Sequence, residues 1–116
     1  MFDSRFFERL VLLQMTKSTK SVVYVVIDFW CLPDKIPQMK KLLQGVVPEA
    51  KLQASCLKFE LCENLNEKTQ FTFLQAWSTK EALEQHLNSE LVTKTNDDLR
   101  DLLSKPSETR RYGNIG

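Results

Sequence analysis

His86 is the only histidine in the chain, so any imidazole acid–base chemistry must pass through it. Ala82, Leu83 and Leu87 recur around it at helical spacing, which turns the ring inward from an amphipathic helix. The plain alternative is a core-edge histidine whose nitrogens bond backbone or water. Asp28 stands out as one acid within residues 21–31, a run made mostly of Val, Ile and aromatic residues. Buried without a partner it would have a raised pKa and could accept a proton; a salt bridge across a dimer interface is an equal account. Trp77 ends a second apolar run. An indole can stack on a flat aromatic molecule and donate one hydrogen bond, or simply fill a core. Arg110 and Arg111 could serve a phosphorylated substrate or just face solvent. The three cysteines, Cys31, Cys56 and Cys62, include no CxxC pair, so they form neither a zinc frame nor a secreted disulfide scaffold. Cys56 and Cys62 fall in a strand pattern and are expected to be buried free thiols. No phosphate-binding glycine loop, metal cluster or nucleophile elbow is present in the sequence.

The elements that carry these residues follow from periodicity. Residues 21–31 have the composition of a strand covered on both faces, one face bearing Val23, Val25, Ile27 and Phe29, the other Tyr24, Val26, Asp28 and Trp30. Leu32-Pro33-Asp34 breaks it. Ile36, Met39, Leu43, Val46 and Val47 then recur at helical spacing, with Pro37 in the first turn and Pro48 marking the end. Residues 56–63 alternate as a strand, 64–69 read as a loop longer than the tightest hairpins, and 70–77 as a third strand. Ser78-Thr79-Lys80-Glu81 has the form of a capping box with Ser78 at the cap, opening the helix that carries His86. A further helix is expected through Leu91, Val92, Thr95, Leu99, Leu102 and Leu103. Lys105-Pro106 ends it, and residues 108–115 supply a fourth strand.

The order is β-α-β-β-α-β, an α+β ferredoxin-like unit with one antiparallel sheet and helices on one side of it. Tyr24, Val26 and Trp30 would project from the open side, an apolar patch of the kind that marks an interface. A homodimer is the expected partner. At 116 residues the chain is one domain. It divides into an extension over 1–20, with Phe2, Phe6, Leu10 and Leu13 at near-helical spacing, and a domain over 21–116. Sixteen basic and fifteen acidic residues nearly cancel, which removes the bulk electrostatic reason to expect nucleic acid or an anionic membrane. No stretch reaches transmembrane length, and residues 1–20 lack the form of a secretory signal. Free thiols then point to a reducing cytoplasm.

The residues also resemble a family. Leu32-Pro33-Asp34-Lys35 after the first strand looks like the Lys-Pro-Gly-Lys strand exit of the antibiotic biosynthesis monooxygenase (ABM) family. Ser55-Cys56-Leu57-Lys58-Phe59-Glu60-Leu61 resembles its Gly-Cys-Leu-Arg-Tyr-Glu-Leu strand. Phe71-Thr72-Phe73 through Trp77, then Ala82-Leu83, His86-Leu87 and Ser89, is similar to its Phe-x-Phe…Trp…Ala-Leu…His-Leu-x-Ser run. The resemblance covers residues 21–116 and implies a dimeric α/β barrel with a pocket between sheet and helices. Its members include cofactor-independent monooxygenases of polycyclic phenols and quinols, haem-degrading enzymes and an isomerase of phosphorylated autoinducer-2.

The resemblance implies His86 as catalytic base and Trp77 as the group that orients the substrate ring. Asp28, Phe73, Leu74 and Arg110 are the expected substrate contacts. The expected reaction is oxidation of a quinol-like or phenolic small molecule without a bound cofactor. Isomerisation of a small hydroxy-ketone and non-catalytic binding by a dimeric module are the alternatives. Two departures count against the enzyme reading: the family's Tyr-Glu pair is Leu74-Gln75 here, which favours the binding module, and its Pro-His after the Ser is Glu90-Leu91. A haem-degrading site like the family's needs an Asn, Trp and His set, which Asn96 and its neighbours do not offer, so no haem is expected.

Overall fold

The computed structural model of the chain describes residues 21–116; the amphipathic pattern read in 1–20 lies outside the described residues. Strand β1 (Val23–Cys31) leads through a 3₁₀ turn (Pro33–Lys35) into α1 (Ile36–Lys51). Strands β2 (Cys56–Asn64) and β3 (Glu67–Trp77) form a hairpin, followed by α2 (Lys80–Leu87), α3 (Glu90–Leu99) and β4 (Leu103–Gly113). The sheet has the order β2-β3-β1-β4 with every neighbouring pair antiparallel, the expected α+β ferredoxin-like arrangement.

Register decides what faces what. Directly paired residues share a face, so Val25 with Gln75, Ile27 with Phe73 and Phe29 with Phe71 point together toward the helices. Met39, Leu43, Val46 and Ala50 of α1 and Leu83 of α2 close over them, all buried. Burial of this kind stabilises by about 25 cal/mol per Å² of apolar surface removed from water. The other face carries Tyr24, Val26, Asp28 and Trp30 of β1 beside Ala76, Leu74, Thr72 and Gln70 of β3. Among the described residues no helix covers it, and Tyr24 remains 40% exposed.

Several boundaries differ from the sequence reading. Helix α1 continues through Pro48 to Lys51, because a proline in the last turn removes one backbone bond at most while buried Ala50 still anchors the turn. The hairpin loop is only Leu65-Asn66. Asn64 makes it by accepting from the Asn66 backbone amide through Oδ1 (2.8 Å) and donating to Gln70 Oε1 (2.7 Å). No described residue has positive φ, so side-chain bonds and a bulge close this loop instead of a primed turn. Helix α2 is capped by Thr79 rather than Ser78: Thr79 Oγ1 accepts from Ala82 N at 3.0 Å.

Strand β4 begins at Leu103, five residues earlier than expected, and Leu102 and Leu103 lie beyond helix α3. Pro106 is accommodated because β4 is an edge strand and its register with β1 shifts between Asp28 and Trp30. Almost all of β4 is exposed. Charged contacts attach it to the rest, one on each side of the sheet: Arg110 to Asp28 (3.1 Å) and Arg111 to Glu84 of α2 (2.7 Å). The thiols also differ from expectation: Cys31 is the buried one, while Cys56 and Cys62 are only half-buried at a strand at the sheet edge. Burial pushes the Cys31 thiol up, with the Asp34 carboxylate adding to it, and burial raises Cys56 as well.

Candidate active site

Between the helix-side face of the sheet and helices α1, α2 and α3 lies a cavity of about 50 Å³. Phe29, Phe59 and Phe73 form its sheet wall, Leu87, Val92 and Leu99 its helical wall, and no charged residue lines it. Four polar side chains from three elements line it, Gln75 of β3, His86 of α2, and Thr95 and Asn96 of α3. The alternation of β3 puts Gln75 on the same face as Phe71, Phe73 and Trp77, and the periodicity of α2 puts His86 with Ala82 and Leu83.

His86 is 2% exposed and its ring is held from three directions. Trp77 stacks on it with centroids 4.4 Å apart and planes at 29°. Phe59 meets it edge-on at 5.8 Å. The Gln53 side-chain amide lies 3.0 Å from Nδ1. Trp77, fully buried, donates its Nε1–H to Gln75 Oε1 at 2.8 Å. Tryptophan, glutamine and histidine thus form one polar seam through an apolar core, with no buried side-chain N or O left without a partner among the described residues. Burial lowers the His86 pKa below its ordinary value of 6.5, since a buried cation loses hydration. Its Nε2 has no hydrogen-bond partner among the described residues and, since no fully buried side-chain N or O there lacks one, keeps a little accessible surface; His86 itself lines the cavity.

Residues 22–98 match the family of antibiotic biosynthesis monooxygenases. The chain belongs to that family. A conserved protein from Methanosarcina mazei superposes with TM-score 0.80 at 20% identity, covering 86% of this chain and 99% of that one. A candidate antibiotic biosynthesis monooxygenase of Nitrosomonas europaea gives 0.78 at 14% identity, covering 83% and 92%. An uncharacterized protein of Synechocystis is 26% identical over 80 residues, 69% of this chain. The chain spans about half (54%) of that relative's length.

Within this ABM fold the expected site residues divide between the two faces of the sheet. His86, Trp77 and Phe73 come together on the helix side. Asp28, Leu74 and Arg110 do not join them, because the pleat turns them to the open face. There Asp28, 8% exposed, accepts from Thr72 Oγ1 (2.6 Å) and Arg110 Nη2 (3.1 Å), all within one chain. Trp30 lies under the Lys105 ammonium at 3.8 Å.

Two residues of the seam escaped the sequence reading. Gln75 stood out only as the place where the family's acid is missing, although the Phe71-Phe73 alternation already directs it inward. Gln53 follows α1 in an irregular turn, where no periodicity assigns a side chain to a face. Among the described residues no group of three or more His, Cys, Asp or Glu could hold a metal ion, and no helix is long and apolar enough to cross a membrane.

Proposed function

We propose that the chain is a cofactor-independent monooxygenase of a small phenol or hydroquinone, using dioxygen as oxidant. The observation that carries this reading is an uncharged, aromatic-walled cavity whose one ionisable group, His86, offers a free Nε2. Such a cavity excludes water and meets the substrate hydroxyl at one defined atom. For a phenol with an open para position, that carbon–hydrogen bond breaks and a carbon–oxygen bond forms. One atom of dioxygen becomes the new quinone carbonyl, and the other leaves as water with the two hydrogens the substrate loses. The four electrons released by the ring reduce the two oxygen atoms. Trp77, held by Gln75 and stacked on His86, fixes the imidazole that lines the cavity.

The cavity of about 50 Å³ is far smaller than the several hundred Å³ of pockets that enclose whole ligands. A cavity of this size takes dioxygen or the edge of a ring; on this reading a whole ring would need α2 and α3 to shift outward. This size favours single-ring over polycyclic substrates. A phosphorylated hydroxy-ketone finds no cation at the cavity, since Arg110 and Arg111 are engaged elsewhere. The working form on this reading is a cytoplasmic homodimer joined through the open sheet face, where Tyr24, Val26 and Leu74 gain cover; light scattering at micromolar concentration should give twice the chain mass, and a stable monomer refutes it.

Oxygen consumption with a panel of hydroquinones and phenols tests the chemistry. The expected result is one dioxygen consumed per phenol with the appearance of quinone absorbance. No rate above buffer with any member of the panel overturns the reading.

A further inference from the structure

We propose that Gln53 sets the tautomer of His86, placing its single proton on Nε2 so that the ring meets the substrate oxygen as a hydrogen-bond donor rather than as a base. The amide nitrogen of Gln53 carries two hydrogens and no available lone pair, so its 3.0 Å approach to Nδ1 can only be a donation. Nδ1 is therefore the unprotonated nitrogen, and a neutral imidazole must hold its one proton on Nε2. The neutral form is the relevant one. His86 is buried, and the groups facing it are Phe59 from β2, Gln75 and Trp77 from β3, Thr95 and Asn96 from α3, and Gln53, none of them ionisable. Glu84, two residues before His86 and so toward the other side of α2, is held at the surface by Arg111 at 2.7 Å.

The positions of both partners are fixed independently of the bond between them. Gln53 donates its backbone N–H to the Ala50 carbonyl (3.2 Å), and its own carbonyl accepts from Cys56 N (3.0 Å), so the turn between α1 and β2 is tied at both ends. The imidazole lies between the Trp77 face and the Phe59 edge. Turning it over would set a ring carbon against the Gln53 amide and forfeit the bond. Gln53 is thus a positioning residue, acting through His86.

The chemical consequence rests on the monooxygenase reading, whereas the tautomer rests on geometry alone. A donor at Nε2 stabilises the phenolate form of the substrate, whose proton is left to solvent, as a preorganised donor stabilises any developing oxyanion. On this account kcat/KM rises with pH along the substrate's own hydroxyl titration rather than that of an enzyme base.

With one histidine in the chain, a ¹⁵N-histidine sample gives a single set of ring signals. Long-range ¹H–¹⁵N correlation is expected to show Nε2 protonated and Nδ1 bare, with a coupling across the hydrogen bond from the Gln53 side-chain amide to Nδ1. In Gln53→Glu the carboxylate accepts from Nδ1–H, and the two nitrogens exchange roles. A protonated Nδ1 in the wild type, or an unchanged pattern in Gln53→Glu, overturns the proposal. With a substrate that the wild type oxidises, Gln53→Glu should lower kcat roughly 100-fold, the scale of one lost oxyanion donor, with a smaller change in KM. A wild type that shows the expected tautomer and oxidises nothing removes the monooxygenase reading while leaving the role of Gln53 in place.

Discussion

Replacing His86 by phenylalanine should change how stability depends on pH in one direction only. Burial lowers the histidine's pKa below its ordinary 6.5 in the folded chain, so the unfolded chain binds the proton more readily. The stability tied to the neutral ring is therefore complete above the unfolded pKa. It is lost as pH falls through 6.5 toward the depressed folded value, below which the loss levels off. One proton limits the slope to about 1.4 kcal/mol per pH unit. With a urea m-value of about 1–1.5 kcal/mol per M for a chain of this size, the midpoint shifts by roughly 1 M per unit. Phenylalanine keeps a ring against Trp77, fills part of the adjoining cavity and does not titrate. The assay is urea unfolding of both proteins from pH 5 to 8, reading the difference between them so that carboxylate titrations cancel. The wild type should lose stability relative to His86→Phe on the acid side of neutrality. Parallel curves across the whole range refute the assignment of a desolvated, uncharged histidine.

Trp77→Phe removes the indole N–H that donates to Gln75 Oε1 and leaves a buried acceptor short of its partner, so it should destabilise by about 1–3 kcal/mol in urea unfolding. Thr79→Ala should cost about 1 kcal/mol through loss of the cap on α2, whereas Ser78→Ala should cost much less. Thermal unfolding separates the two. Deletion of residues 1–14 is expected to leave the urea midpoint of the remaining domain unchanged, and a lowered midpoint would show that those residues contribute to the core.

The order of elements and the core were legible because burial imposes periodicity: Val25, Phe29, Phe71 and Phe73 alternate, and Met39, Leu43, Val46 and Ala50 recur each turn. The family was legible too, from short runs whose order the fold preserves. What escaped was whatever depends on one side chain rather than a pattern. Asn64 closes its hairpin with two side-chain bonds, which no period records, so the loop was read four residues too long. The start of β4 was hidden because Leu102 and Leu103 continue the apolar spacing of α3 after the helix has ended. On the helix side of the sheet, His86, Trp77 and Phe73 could be placed together from the periods of α2 and β3. Asp28, Leu74 and Arg110 lie on the open face, the side to which the sequence already assigned Asp28's face-mates Tyr24, Val26 and Trp30.

The paired arginines of β4 give the edge strand a vernier. Arg110 answers Asp28 on one side of the sheet and Arg111 answers Glu84 on the other. Slide the strand by one residue in one direction, and Arg111 arrives at the place opposite Val26 while Tyr112 faces the helix. Slide it the other way, and Arg110 takes the helix side while Thr109 faces Asp28. Either shift retains at most one ion pair, and only the native alignment closes both. A strand too exposed to be indexed by its core contacts is thus indexed by two neighbouring charges read on opposite sides.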